Sequence, residues 1–101
     1  MNHRHIQKQI VQYLVLKGLY PRVVDQSGDH IRGSGTPGNP DLFCLLRDGR
    51  ALFIEVKGPG GRLSTAQLEF GEACKRRGTP YVVAWSLDDV IAKVKALEGS
   101  K

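Results

Sequence analysis

The sequence predicts an α/β domain in which a mixed sheet is flanked by helices, in the order helix, three strands, helix, strand, helix. Three observations predict it. Apolar residues recur at helical spacing in three separated segments, four short apolar runs lie between them, and the last run follows a helical segment as in a β-α-β crossover. At 101 residues the chain fits one domain, 1–101, with a core large enough to stand alone only narrowly.

The first segment, His3 to Lys17, sets Ile6, Ile10, Tyr13, Leu14 and Lys17 at helical spacing, and Gly18 follows as a helix stop. Tyr20 to Asp25 reads as a strand with Val23 and Val24 as its apolar centre. Ser27 to Pro40 is crowded with glycine and proline and reads as a loop. Asp41 to Leu46 and Ala51 to Lys57 are apolar runs joined by Arg47-Asp48-Gly49-Arg50, a hairpin signal. Gly58-Pro59-Gly60-Gly61 leads into Ser64-Thr65-Ala66-Gln67, whose spelling is a capping box that starts a helix. Leu63, Gln67, Phe70 and Cys74 share a face of that helix, and Gly78 closes it. Pro80 to Trp85 is the last strand, and Ser86-Leu87-Asp88-Asp89 caps a final helix carrying Val90, Ile91, Val94 and Leu97.

A hydrophobic fraction of 41% and a charged fraction of 25% are those of a soluble globular protein. No apolar run approaches the roughly 18–20 residues that span a bilayer, and the N-terminus lacks the apolar stretch of a signal peptide. These features predict a protein inside the cell, cytoplasmic and without a membrane partner. Cys44 and Cys74 lie far apart in no metal-binding spacing, inside apolar segments, and read as buried free thiols. A net charge of +5 and a pI near 9.5 suit a polyanionic partner, most often nucleic acid, although basic proteins without one are common.

Three polar residues interrupt or open the apolar strands. Side chains alternate along a strand, so Glu55 and Lys57 face one side of the sheet while Ile54 and Val56 face the other. Asp41 opens the preceding strand, directly after Pro40. A register that sets Asp41 opposite Glu55 also pairs Leu46 with Arg50 and leaves Arg47-Asp48-Gly49 as a three-residue loop with glycine at the left-handed position. A two-residue Asp48-Gly49 turn would instead set Asp41 against Val56 and put the carboxylates on opposite faces. Adjacent carboxylates repel unless a cation lies between them, and hard oxygen ligands suit Mg²⁺ or Mn²⁺. Lys57 on the same face would orient a metal-activated water or neutralise charge. The alternative is a surface Glu–Lys strand pair with Asp41 as a turn residue.

Pro40-Asp41, a spacer and Glu55-Val56-Lys57 spell the PD-(D/E)xK nuclease motif. The surroundings resemble the VRR-NUC branch: Gly38-Asn39-Pro40-Asp41-Leu42, then Phe53-Ile54-Glu55-Val56-Lys57-Gly58-Pro59, then Arg62-Leu63-Ser64 with Gln67. The similarity runs from the first helix to Ser86-Leu87-Asp88-Asp89, nearly the whole chain. It implies a restriction-endonuclease-like α-β-β-β-α-β core in which Asp41, Glu55 and the Val56 carbonyl bind Mg²⁺ or Mn²⁺. It further implies that Lys57 assists the attacking water and that Gln67 supports the site, beside or instead of its role in the capping box. Family members often carry a first-helix glutamate as a further ligand. This chain has no acid before Asp25 and sets His3 or Gln7 near that position, so either the ligand is missing or His3 replaces it. Alternatively, His3 and His5 belong to a solvated basic terminus that touches DNA.

Arg32 and Arg62 sit in the glycine-rich loops that flank the proposed site, where backbone N–H groups approach phosphates closely. Lys75, Arg76 and Arg77 end the second long helix, either as DNA contacts or as cations favoured by the helix dipole. Minimal stand-alone members of the family, typically phage-borne, are associated with cleavage of branched DNA such as Holliday junctions, as homodimers. The resemblance thus implies a metal-dependent endonuclease acting on branched DNA. Two other readings stand beside it: a nick or flap nuclease of a replication-repair complex, and a DNA-binding module that lost catalysis with its first-helix acid.

Overall fold

The computed structural model describes residues 1–24 and 38–99. Its elements follow the predicted order: α1 (His3–Leu16), β1 (Tyr20–Val23), β2 (Leu42–Leu45), β3 (Ala51–Val56), α2 (Thr65–Arg77), β4 (Tyr81–Ala84) and α3 (Leu87–Glu98). The strands form one mixed sheet in the order β1-β2-β3-β4, antiparallel across the first two pairings and parallel between β3 and β4. The parallel pairing follows from the chain: α2 must carry it back to the start of the sheet before β4 can pair.

Strand alternation divides the work of the two faces. Leu42, Cys44, Leu52, Ile54, Val56 and Ala84 point to one side, where Ile6, Ile10 and Leu14 of α1 and Val90 and Val94 of α3 cover them. Burying each large aliphatic side chain there contributes about 1.5–3 kcal/mol. The opposite face carries an aromatic row under α2. Phe43 meets Phe53 at 6.2 Å between centroids, Phe53 meets Phe70 of α2 edge-on at 5.4 Å, and Phe70 meets Tyr81 at 5.8 Å. Gly71 lets the helix settle on Tyr81, since an added Cβ would lie 3.0 Å from the ring.

The hairpin has the odd-length turn that the site requires. Leu42 pairs with Ile54 and Leu45 with Ala51, Leu46 N–H donates to Arg50 O at 2.8 Å, and Gly49 sits at φ 91°. Both cysteines are buried free thiols, and burial pushes the Cys44 thiol up to about 11.

Two local expectations change. Val23 is not an apolar centre of β1: it is 58% exposed, because β1 is the sheet edge, and the strand's buried residue is Pro21. Ser86 starts α3 by its backbone conformation alone, without a side-chain cap bond; Asp89 reaches back instead and accepts from Trp85 N–H at 2.8 Å. Asp25, Arg32 and the glycine-rich loop as far as residue 37 lie outside the described residues.

Gly38 and Gly49 both have positive φ but differ in surroundings. A Cβ on Gly38 would lie 2.5 Å from the Ala66 carbonyl oxygen of α2, whereas one on Gly49 would meet nothing within 4 Å. Gly49→Ala is therefore expected to cost about 1 kcal/mol in urea unfolding, from backbone strain alone. Gly38→Ala adds a backbone clash and is expected to cost more, about 2–3 kcal/mol.

Candidate active site

The site lies where β3 ends, beneath the first turn of α2. Pro40 is buried and delivers Asp41 to the mouth of β2, where Asp41 N–H donates to Ile54 O at 3.1 Å. The Asp41 side chain turns back across the hairpin, and its Oδ2 accepts from Val56 N–H at 2.7 Å. Two residues of one hairpin thereby hold each other, and the carboxylate is fixed beside Glu55.

Glu55 points to the α2 side of the sheet and is only 3% exposed. Its Oε2 accepts from Gln67 Nε2 at 2.9 Å, while its Oε1 is buried without a hydrogen-bond partner among the described residues. Lys57, two residues on and on the same face, brings Nζ to 3.9 Å from Glu55 Oε2 and donates to Gln67 Oε1 at 3.0 Å. Gln67 is in turn locked by the helix start: Oε1 accepts from Ser64 N–H at 2.8 Å and Gln67 N–H donates to Ser64 Oγ at 3.1 Å. One amide therefore closes the capping box and joins Lys57 to Glu55, so its two expected roles coexist. Its orientation is also determined, with the oxygen facing two donors and the nitrogen facing a carboxylate.

The electrostatics are those of a carboxyl pair short of positive charge. Burial pushes the Glu55 carboxyl up to about 8, the neighbouring Asp41 carboxyl pushes the same way, and Lys57 offsets part of the rise. Two ionised carboxylates cannot donate to each other, so either a shared proton or a cation answers the unpartnered Oε1. The donor set fits a hard cation. Mg²⁺ is commonly held by one or two carboxylates, with water and substrate phosphate filling the remaining positions. Among the described residues no group of three His, Cys, Asp or Glu side chains could hold an ion alone, so an all-protein cage is not what this site offers.

His3, on the first turn of α1, reaches the same place: its Nε2 lies 3.4 Å from Asp41 Oδ2. Arg62 is exposed in the segment before α2. Lys75, Arg76 and Arg77 are exposed in the last turn of α2, about 12–15 Å along the axis from Gln67 at 1.5 Å per residue. Sequence reasoning missed Arg50 and Lys93, which join Lys75, Tyr81 and Gln67 in lining a groove of about 530 Å³ beside the site. No local signal marks them, because they come from the hairpin turn and from α3. It also missed the approach of Gly38 to Ala66, which seats the Pro40-Asp41 segment against the helix that carries Gln67.

The raised Glu55 value makes stability depend on pH. Folded Glu55 holds its proton to about pH 8 against an ordinary value of 4.5, so its stabilising contribution is full below about 4.5 and lost as pH rises through 8. With metal removed by chelator, the urea midpoint is expected to fall between pH 5 and pH 8.5, and Glu55→Gln is expected to flatten that fall. An unchanged slope in the variant would assign the pH dependence elsewhere.

Comparison with known proteins bears on the family and the fold. The family model for the VRR-NUC domain matches residues 4–87. A solved structure described as a VRR_NUC domain is similar at 24% identity and a TM-score of 0.70, covering 98% of this chain and 97% of that one. A second, described as a VRR_NUC domain protein, is similar at 22% identity and a TM-score of 0.72, covering 94% and 86%. A structure of paFAN1 bound to 1-nt 5′-flap DNA with a gap matches at 38% identity over 52% of this chain and 10% of that chain, with a TM-score of 0.43. No curated protein matches. With the family model spanning most of the chain and the four-stranded mixed sheet reproduced in its solved relatives, the chain belongs to the VRR-NUC family and has its nuclease-type fold.

Proposed function

We propose that this protein is a Mg²⁺- or Mn²⁺-dependent endodeoxyribonuclease that hydrolyses phosphodiester bonds in branched DNA, acting as a homodimer. The observation that carries the reading is the buried Oε1 of Glu55, unpartnered among the described residues, beside Asp41, with Lys57 held next to the pair. Asp41, Glu55 and the Val56 carbonyl are the groups that would hold the ion. When bound, the ion supplies a water acidified toward hydroxide and compensates charge on the phosphate.

The chain's own residues do the rest. Gln67 Oε1 anchors Lys57 Nζ at 3.0 Å, which limits where that nitrogen can point. From there Lys57 orients the attacking water and offsets charge that develops on the phosphate oxygens. Asp41, tied to Val56 N–H, and Glu55, tied to Gln67 Nε2, keep both carboxylates in place before any substrate arrives. Arg62, Lys75, Arg76 and Arg77 supply exposed positive charge for the backbone of DNA, where contacts position the duplex without reading its bases. Paired active sites in a homodimer would meet opposed strands of a junction, and an added interface would support a core of this size.

A four-way-junction assay tests the reading. Cleavage is expected with Mg²⁺ or Mn²⁺ and none with chelator, and Lys57→Ala and Asp41→Ala are expected to lower the rate about 10²–10⁴-fold. Equal cleavage of flaps, nicks and linear duplex would remove the preference for branched DNA. Junction binding without cleavage in either metal would leave a DNA-binding module in place of an enzyme.

A further inference from the structure

α1 begins at the site, and its first residue is set there by three separate constraints. Ile6, Ile10 and Leu14 are buried and fix the helix against the sheet. Asn2 caps it, accepting from His5 N–H at 3.0 Å, which places His3 at the first helical position. Gly58 then admits the His3 backbone, since a Cβ at Gly58 would lie 3.2 Å from His3 N and 3.7 Å from His3 Cα. The imidazole that results from this placement stands with Nε2 at 3.4 Å from Asp41 Oδ2, the oxygen that already accepts from Val56 N–H.

We propose that His3 is a positioning residue for Asp41: its Nε2 stands beside the carboxylate oxygen that already accepts from Val56 N–H and restrains it there, leaving the other oxygen for the cation. The inference rests on the metal-dependent reading above. Two features favour positioning over direct ligation. The contact is with Asp41, and no three His, Cys, Asp or Glu side chains among the described residues converge closely enough to hold an ion. A ring N–H in either protonation state can donate to a carboxylate, and outer partners of this kind orient a metal's ligands. The chain thereby supports its carboxylate from the first helix with a donor.

The test is Mn²⁺ binding followed by electron paramagnetic resonance, with pulsed detection of nitrogen coupling. Loss of an outer partner typically costs about 10–100-fold in metal affinity, so His3→Ala is expected to weaken Mn²⁺ binding at least tenfold. His3→Gln keeps an amide nitrogen near the position of Nε2 and is expected to remain within about threefold of wild type. Both variants should melt with the wild type in chelator, because His3 is exposed and fills no core. Directly bound nitrogen in the wild-type spectrum, with His3→Gln as weak as His3→Ala, would overturn positioning in favour of ligation. Unchanged affinity in His3→Ala would overturn it outright, as would equal loss of melting temperature and binding in both variants. A wild-type protein that binds no Mn²⁺ would instead overturn the metal-dependent reading on which the inference stands.

Discussion

Glu55 is held in an apolar strand by a single amide, and the rest of the site is arranged around that contact. A carboxyl that is 3% exposed loses most of its hydration, and the bond from Gln67 Nε2 to Oε2, with Lys57 Nζ nearby, recovers part of that loss. Gln67 can make that bond because its own oxygen is occupied by Ser64 N–H and Lys57 Nζ. The start of α2 and the ionisation of Glu55 are therefore one problem with one solution. Shifting the helix start by a residue would turn Gln67 off the sheet and strand both Lys57 and Glu55. Gly38 belongs to the same arrangement, since it lets the Pro40-Asp41 segment pass against the Ala66 carbonyl beside that helix start.

The hairpin contributes a second constraint, one of parity. The three-residue turn with Gly49 in the left-handed region places Leu42 opposite Ile54, so the side chain of Asp41 falls on the face of Glu55. A one-residue slip would move it to the face of Ile54 and Val56, among aliphatic side chains. Contacts from outside the hairpin hold the turn. Arg47 pairs with Glu98 at 2.8 Å and donates to Lys17 O, and Arg50 donates to Leu97 O at 3.1 Å. These exposed contacts are individually weak, yet they join the turn to α1 and α3 at the end of the sheet remote from the carboxylates.

The two faces of the sheet carry different burdens. The aliphatic face under α1 and α3 supplies most of the buried apolar surface. The face under α2 mixes an aromatic row with the polar group of Glu55, Lys57 and Gln67. A buried polar site is tolerable there because the opposite face does not depend on it. Burial and the charges of Glu55 and Asp41 also push the Tyr81 hydroxyl up to about 12, so the aromatic row stays neutral beside the carboxylates.

The sequence by itself determined the element order, the capping box at Ser64, the turn at Gly49 and the face shared by Glu55 and Lys57. Each follows from a local rule, either helical or strand periodicity or a backbone angle only glycine adopts easily. It also narrowed the hairpin to two registers, one of which would have separated the carboxylates. Only the tertiary structure decided that Gln67 serves the helix cap and both charged residues together, that Val23 lies exposed on an edge strand, and that His3 reaches Asp41. Those outcomes depend on how α1, α2 and the hairpin pack against one another. Residues far apart in the chain meet through that packing, and no local periodicity encodes the distance between them.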